Sequence, residues 1–262
     1  MNVQAILALR PRLAGFVAVL AAAMGLAQAA AATTAPIVRV FVVQVPSAQD
    51  HEFIVGVKAY EKCLSDSGTK QATYVYDAET GDLTRYLFLN EYSTWAGMDA
   101  HDAAATACRD VFGTEVLPHV GQALSQVAVL DPKDTYMPGG DPDPAPMLWV
   151  DSYRIKPGQG QEFNAAMQHL AAAAAKTHWE GHFAGYDIAA GGRGAQDFVQ
   201  VWPNKSWADA GRDPSPSPMK MVASVYGAAS VKSGHRKFLA TIADHWSDTW
   251  SYDKDLSVIP GK

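Results

Sequence analysis

The sequence is poor in the features that announce a reaction. It holds two cysteines, Cys63 and Cys108, and shows no Cys/His zinc pattern, no G-x-S-x-G elbow, no P-loop and no dinucleotide fingerprint. Clusters of Lys and Arg are missing as well. After residue 29 the chain keeps all 27 acidic residues and 19 of its 21 basic ones, a net charge of −8. Such a mildly acidic surface excludes a nucleic-acid footprint. No apolar run after residue 30 approaches the ~20 residues that cross a bilayer, so no stable membrane span is expected in the mature chain. Metal and cofactor are equally without a motif, and none is evident.

What is present begins with the anatomy of an export signal at residues 1–29. Arg10 and Arg12 form a basic start, Leu13 to Leu26 an apolar run too short to span, and Ala27-Gln28-Ala29 an A-x-A cleavage site. With no cysteine there, a lipoprotein anchor is not expected. The reading is a mature chain from about Ala30, exported to the periplasm or secreted.

The remaining ~230 residues suit one large domain or two small ones. The segment 131–146, "DPKDTYMPGGDPDPAP", carries five prolines, two glycines and four aspartates, which neither a helix nor a central strand tolerates. It reads as a linker, and the flanks repeat each other. "RYLFLNEYSTW" (85–95) is echoed by "DFVQVWPNKSW" (197–207), "HEF" (51–53) by "QEF" (161–163), and Val111-Phe112-Gly113 by Val225-Tyr226-Gly227. Offsets grow from 110 to 114, as loop insertions would make them do. Phe53, Val57, Tyr60 and Leu64 mark one helical face, and Phe163, Met167, Leu170 and Ala174 mark the same face again. This is a tandem duplication.

Each copy parses as β-α-β-β-α-β, the ferredoxin-like unit. The first runs over 37–130 and the second over 147–256. The "YRIKPGQGQEF" start of the second copy (153–163) and its "VQVWPNKSW" (199–207) resemble the dimeric α+β barrel superfamily, which includes antibiotic-biosynthesis-monooxygenase-like and NIPSNAP-like domains. In that superfamily two such units pair their sheets into a barrel. The resemblance implies an α+β chain whose two tandem units build one barrel internally, so that a monomer is complete. Trp95 and Trp207 are then expected to wedge a second helix against the sheet.

Alternation along the strands sets the expected faces. Leu87 and Leu89, matched by Val199 and Val201, form an aliphatic face suited to packing under helices. Tyr86, Phe88 and Asn90, matched by Phe198, Gln200 and Trp202, form a mixed face suited to a barrel interior or a cavity. Six of the seven tryptophans fall in the second unit, and Asp151 stands there where the first unit has Phe41. A carboxylate desolvated among aromatics can serve as acid or base; a hydrogen-bonded structural aspartate is the alternative. Asp151 is the catalytic candidate, with Tyr153, Gln200 and Trp202 as ligand-binding candidates on the same face, expected away from the helices.

Cys63 and Cys108 fall on two helical segments over one sheet face. In an exported chain they are expected as a disulfide, with free buried cysteines as the alternative. The eight histidines show no metal spacing, and "GGRG" (191–194) is a hairpin turn. Two functions of different class follow. One is a small-molecule-binding protein or cofactor-independent monooxygenase-like enzyme, taking a small organic or aromatic ligand. The other is a non-catalytic module of the periplasm. Haem-binding relatives, the chlorite-dismutase-like enzymes, imply a further alternative and a histidine ligand on a second-unit helix. His235 is its candidate, although "KSGHRKFL" (232–239) does not resemble the motifs of those families.

Overall fold

The computed structural model describes residues 36–100, 102–139 and 144–261. The expected export signal, 1–29, lies outside the described residues, as do 140–143 of the Pro/Gly/Asp segment. Eight strands form the framework: β1 (Ile37–Gln44), β2 (Thr73–Ala78), β3 (Arg85–Tyr92), β4 (Gln122–Leu130), β5 (Met147–Ile155), β6 (Ala184–Ala190), β7 (Phe198–Asn204) and β8 (Ile242–Val258). The helices are α1 (Asp50–Asp66), α2 (Trp95–Asp99), α3 (Ala103–Ala107), α4 (Arg109–Val111), α5 (Gly160–Thr177), α6 (Trp207–Ala210), α7 (Pro218–Tyr226) and α8 (Ala228–Thr241).

The strands close into an antiparallel barrel in the order β1-β3-β2-β8-β5-β7-β6-β4. Within it the first half contributes β4-β1-β3-β2 and the second β8-β5-β7-β6, the same ferredoxin-like order twice. The halves join edge to edge, β2 on β8 and β4 on β6. Among the described residues closure leaves no strand edge unpaired, which removes the template for uncontrolled strand addition. The long β8 makes one of these joins. Its first part pairs with β5 and its last part with β2, which carries Leu256 into the buried cluster of the first half with Phe53, Val57, Val75 and Tyr86.

The helical periodicity read from the sequence is met. Phe53 and Val57 of α1, and Phe163 and Met167 of α5, are buried against the sheet, while Leu64 and Ala174 near the ends of the two helices are buried beside Ala104 of α3 and Met221 of α7. Gly56 lets α1 approach the turn at Phe112–Val116, since a Cβ there would lie 1.8 Å from the Glu115 carbonyl oxygen. Cys63 and Cys108 are joined by a disulfide with Cα atoms 5.9 Å apart, tying α1 to the short α3–α4 region. Their counterparts in the second half, Ala173 and Val222, are an apolar contact between α5 and α7.

Two expectations about facing are overturned. The aliphatic rows do not lie under the helices: Val40, Val42, Leu87, Leu89, Val150 and Val201 point into the barrel, where they meet Leu148, Trp250, Tyr76 and Tyr252. The mixed rows face the helices instead. Phe88 and Tyr86 pack on Phe53 at ring-centroid distances of 6.4 and 4.9 Å, and Phe198 packs on Phe163 at 5.2 Å. The reason is room. An eight-stranded barrel is just wide enough for side chains to fill it, and with Trp250, Tyr76 and Tyr252 already inside, the remaining positions take aliphatic residues.

The second correction concerns Trp95 and Trp207, which are 55% and 50% exposed and wedge nothing. Each is the first residue of a short helix. The residue before it caps that helix: Thr94 accepts from the Gly97 N–H and Ser206 from the Asp209 N–H. The polar break in the repeated stretch is therefore a helix start signal.

Candidate functional site

The four candidate residues of the second half share one face. Register pairs Asp151 with Gln200, Tyr153 with Phe198 and Trp149 with Trp202 on β5 and β7. That face lies toward α5, α7 and α8, not inside the barrel. It splits into two environments.

Asp151 sits at the centre of the first. Its Oδ2 accepts from Trp202 Nε1 at 2.9 Å, and its Oδ1 from Trp149 Nε1 at 3.3 Å and from the Ser247 hydroxyl. His245 Nε2 stands 3.6 Å from Oδ1, and the His245 ring lies against Tyr153 at 4.6 Å. A carboxylate so supplied with donors holds two indoles and a hydroxyl in place. Trp202 then packs on Phe183 and Trp179 at 5.1 and 6.4 Å.

Tyr153 and Gln200 belong to the second environment, a cavity of about 610 Å³ between the sheet and the helices. Small residues explain why it exists. Ala165 and Ala166 of α5 and Ser230 and Gly234 of α8 line it, where larger side chains would fill the layer. Only Thr241 of α8 is buried, so this helix roofs a space instead of packing into a core. Apolar wall comes from Met167, Leu170, Val222 and Phe238. The volume and the mostly apolar wall suit a drug-sized organic molecule.

Polar groups on the wall are few. Gln200 is 3% exposed, and its Nε2 has no hydrogen-bond partner, so a buried donor is left for something else to satisfy. Tyr153 keeps its proton: burial raises its hydroxyl above the ordinary phenol value, and Asp151 adds to the effect. His169, stacked on Tyr226 at 5.0 Å, and His235 also line the cavity, and Lys237 at its rim faces Glu162 at 3.8 Å.

Asp151 and Trp202 thus adjoin the cavity's strands without lining it. Sequence reasoning ranked His169 with the surface histidines and passed over Met219, Val222, Tyr226 and Phe238. Their signal is helical spacing alone: Met219, Val222 and Tyr226 recur along α7, and Ser230, Val231, Gly234, His235 and Phe238 along α8. Among the described residues no group of three or more His, Cys, Asp or Glu can hold a metal ion.

No protein-family model and no curated protein matches the chain. Solved structures do match. An anthrone oxidase-like protein superposes with a TM-score of 0.53 at 11% identity, over 87% of this chain and 94% of its own. A variant chlorite dismutase from Candidatus Nitrospira defluvii superposes with a TM-score of 0.50 at 12% identity, over 84% and 92%. The chain has the dimeric α+β barrel fold. At such identity the dimeric α+β barrel is what is shared, and a site must be argued from this chain's own residues.

Proposed function

We propose that this chain binds a small, largely apolar organic molecule in the cavity roofed by α8. The observation that carries the reading is Gln200: a fully enclosed amide donor on the wall of an apolar cavity, with no partner in the protein. Tyr153 offers a neutral hydroxyl beside it. The ligand is held between Met167, Leu170 and Phe238 and oriented by these two polar groups. Asp151 positions the neighbouring indoles, and Trp202 braces the wall on which Gln200 stands.

The chain is also proposed to work outside the reducing cytoplasm. The Cys63–Cys108 bridge supports this, and no helix among the described residues is long and apolar enough to cross a membrane. Oxidation of the bound molecule without a cofactor is the catalytic form of the proposal, in keeping with the name of the anthrone oxidase-like neighbour. Binding alone is the non-catalytic form, and oxygen consumption with the identified ligand separates them.

One observation favours a second reading, haem. His169 on α5 and His235 on α8 both line the cavity, so either helix presents an imidazole to it. The fit is partial, because both histidines are exposed and the nearby cation, Lys237, already faces Glu162. A Soret band in protein produced with added haem selects this reading, and its absence rejects it.

The test of the main reading is a thermal-shift screen of organic molecules, joined to mass spectrometry of what co-purifies. A Cβ at Gly234 would meet nothing within 4 Å, and Gly234 lines the cavity, so Gly234→Leu sets a larger side chain against it. That variant is expected to lose the ligand-induced shift while staying at least as stable as the parent. Ligand shifts that persist in Gly234→Leu and in Gln200→Leu place binding elsewhere and sink the proposal.

A further inference from the structure

Beyond the cavity wall a second buried polar residue, near Gln200, is left without a partner. Asp134 is 0% exposed, and neither of its carboxylate oxygens has a hydrogen-bond partner. It belongs to the segment after β4, which the sequence presents as the start of a linker. Here that segment is strapped across β6. The Asp131 N–H donates to the Gly185 carbonyl at 2.9 Å, Tyr136 and Phe183 exchange backbone hydrogen bonds at 2.8 Å, and the Gly185 N–H donates to Thr135 Oγ1 at 3.0 Å.

Gly185 makes the room. A Cβ on it would lie 2.9 Å from Asp134 Cβ and 2.8 Å from both the Asp134 carbonyl oxygen and the ring tip of Phe198. Asp134 therefore occupies the space of the side chain that Gly185 lacks. The register partner of Gly185 is Gln200, and directly opposed residues of an antiparallel pair hold their Cβ positions about 5 Å apart on one face. Since β7 lies between β5 and β6, Asp151, Gln200 and Asp134 form a row across three strands, with Tyr153 diagonal to Gln200 on β5. Gln200, which lines the cavity, is the residue of this row next to the strap.

One donor, Gln200 Nε2, and two acceptors, the Asp134 oxygens, are thus buried on neighbouring positions without bonding to each other. Buried polar groups of a native protein find partners. A hydroxyl satisfies both sides at once, because its oxygen accepts and its hydrogen donates. We propose that the ligand of this cavity carries a hydroxyl group held between Gln200 and Asp134, the amide donating to its oxygen and the carboxylate accepting its hydrogen. The inference rests on the reading of the cavity as a ligand site and narrows it to phenols, enols and alcohols. Asp134, from the segment between the two halves, becomes part of the site, and Asp151 does not.

The test uses the mature protein and two probes, 2-naphthol and 9-phenanthrol, each paired with its methyl ether. Dissociation constants are measured by calorimetry for the parent, Asp134→Leu and Asp134→Asn. The parent is expected to prefer each hydroxyl compound over its ether by about tenfold or more, since a site built to bond a hydroxyl rejects the analogue that cannot donate. Asp134→Leu should bring the ratio to about one with the ether's affinity unchanged, and Asp134→Asn, which keeps an acceptor, should restore part of it. Equal affinities in the parent, or a preference that survives Asp134→Leu, overturn the hydroxyl assignment and leave the cavity reading standing; a buried water between the two side chains is then the explanation. Should Asp134→Leu not fold, the parent's ratio decides alone. Binding of none of the four probes, nor of any screened molecule, overturns both.

Discussion

Leu256 lies in the same buried cluster as Phe53, although Phe53 belongs to the first helix of the barrel and Leu256 to its last strand. The C-terminal end of the second half is thus a core element of the first. Leu256→Ala should cost about 3 kcal/mol, the lost transfer energy plus the cavity left behind, read as a lower urea midpoint. A backbone cut between residues 139 and 144 should leave two fragments that co-elute. Fragments that part at micromolar concentration and stay folded would mean that the halves do not need each other. A barrel with every edge paired also offers no strand to a second copy, so light scattering should report a monomer.

The disulfide closes a loop with a sequence separation of 45. In the chain-entropy model, a bridge of that span stabilises by about 4 kcal/mol. Chemical unfolding with and without reductant should differ by an amount of that order, and denatured, unreduced protein should show no titratable thiol. Two reactive thiols would remove the bridge.

Asp134 makes stability depend on pH. Burial, with Asp131 and Asp187 nearby, pushes its carboxyl up to about 7, while the unfolded chain ionises near the ordinary aspartate value of about 4. The folded state therefore binds the proton more tightly. Its stabilising effect is whole below about pH 4 and is lost as pH rises through 7. Asp134→Asn, which cannot ionise, should match the parent at pH 4 and exceed it at pH 8 by about 4 kcal/mol in order of magnitude. Glu61, pushed to about 8 chiefly by burial and then by Asp253, and Asp77, pushed to about 6 by burial and then by Asp253, act in the same direction. The parent's thermal midpoint should fall between pH 5 and 8, and a flat profile would count against all three assignments.

Exposure of Trp95 and Trp207 carries its own expectation. Replacing either by Ala should change stability by no more than about 0.5 kcal/mol. Replacing the cap before it, Thr94→Ala or Ser206→Ala, should cost about 1 kcal/mol. Denaturant titrations of the four variants check the order, and a larger loss at the tryptophans would restore the wedge.

Asp151 and Gln200 are separable by experiment. Asp151→Asn should lower stability by about 1–3 kcal/mol, because two indole N–H groups and the Ser247 hydroxyl lose a charged acceptor. It should leave ligand affinity within about threefold, whereas Gln200→Leu should weaken binding with little effect on stability.

Much of the architecture was written in local pattern. The 3.6-residue spacing of Phe53, Val57 and Leu64 and its repetition at Phe163 and Met167 located both long helices, because burial of a helical stripe follows from spacing alone. Alternation located the strands, and the matched landmarks of the two halves gave the ferredoxin-like order twice. The Cys63–Cys108 bridge was expected from the reading of export and the placing of both helices over one sheet face, with free buried cysteines as the alternative, and the bridge is what forms. Four residues, Asp151, Tyr153, Gln200 and Trp202, were put on one face of β5 and β7, which is where they lie.

Which side of the sheet that face looks toward was not in the pattern. Period-two alternation says that Gln200 and Val201 point oppositely, and both rows are apolar enough to be buried. Only closure of the barrel, with its narrow interior, sends Val201 inward and Gln200 toward the helices. The cavity is a matter of what α8 fails to fill, a property of three packed elements and of no single stretch. Asp134 is the clearest case: it sits in a segment of prolines and glycines that reads as solvated linker. Its burial depends on a glycine fifty-one residues later in the chain, brought beneath it by the join of β4 to β6.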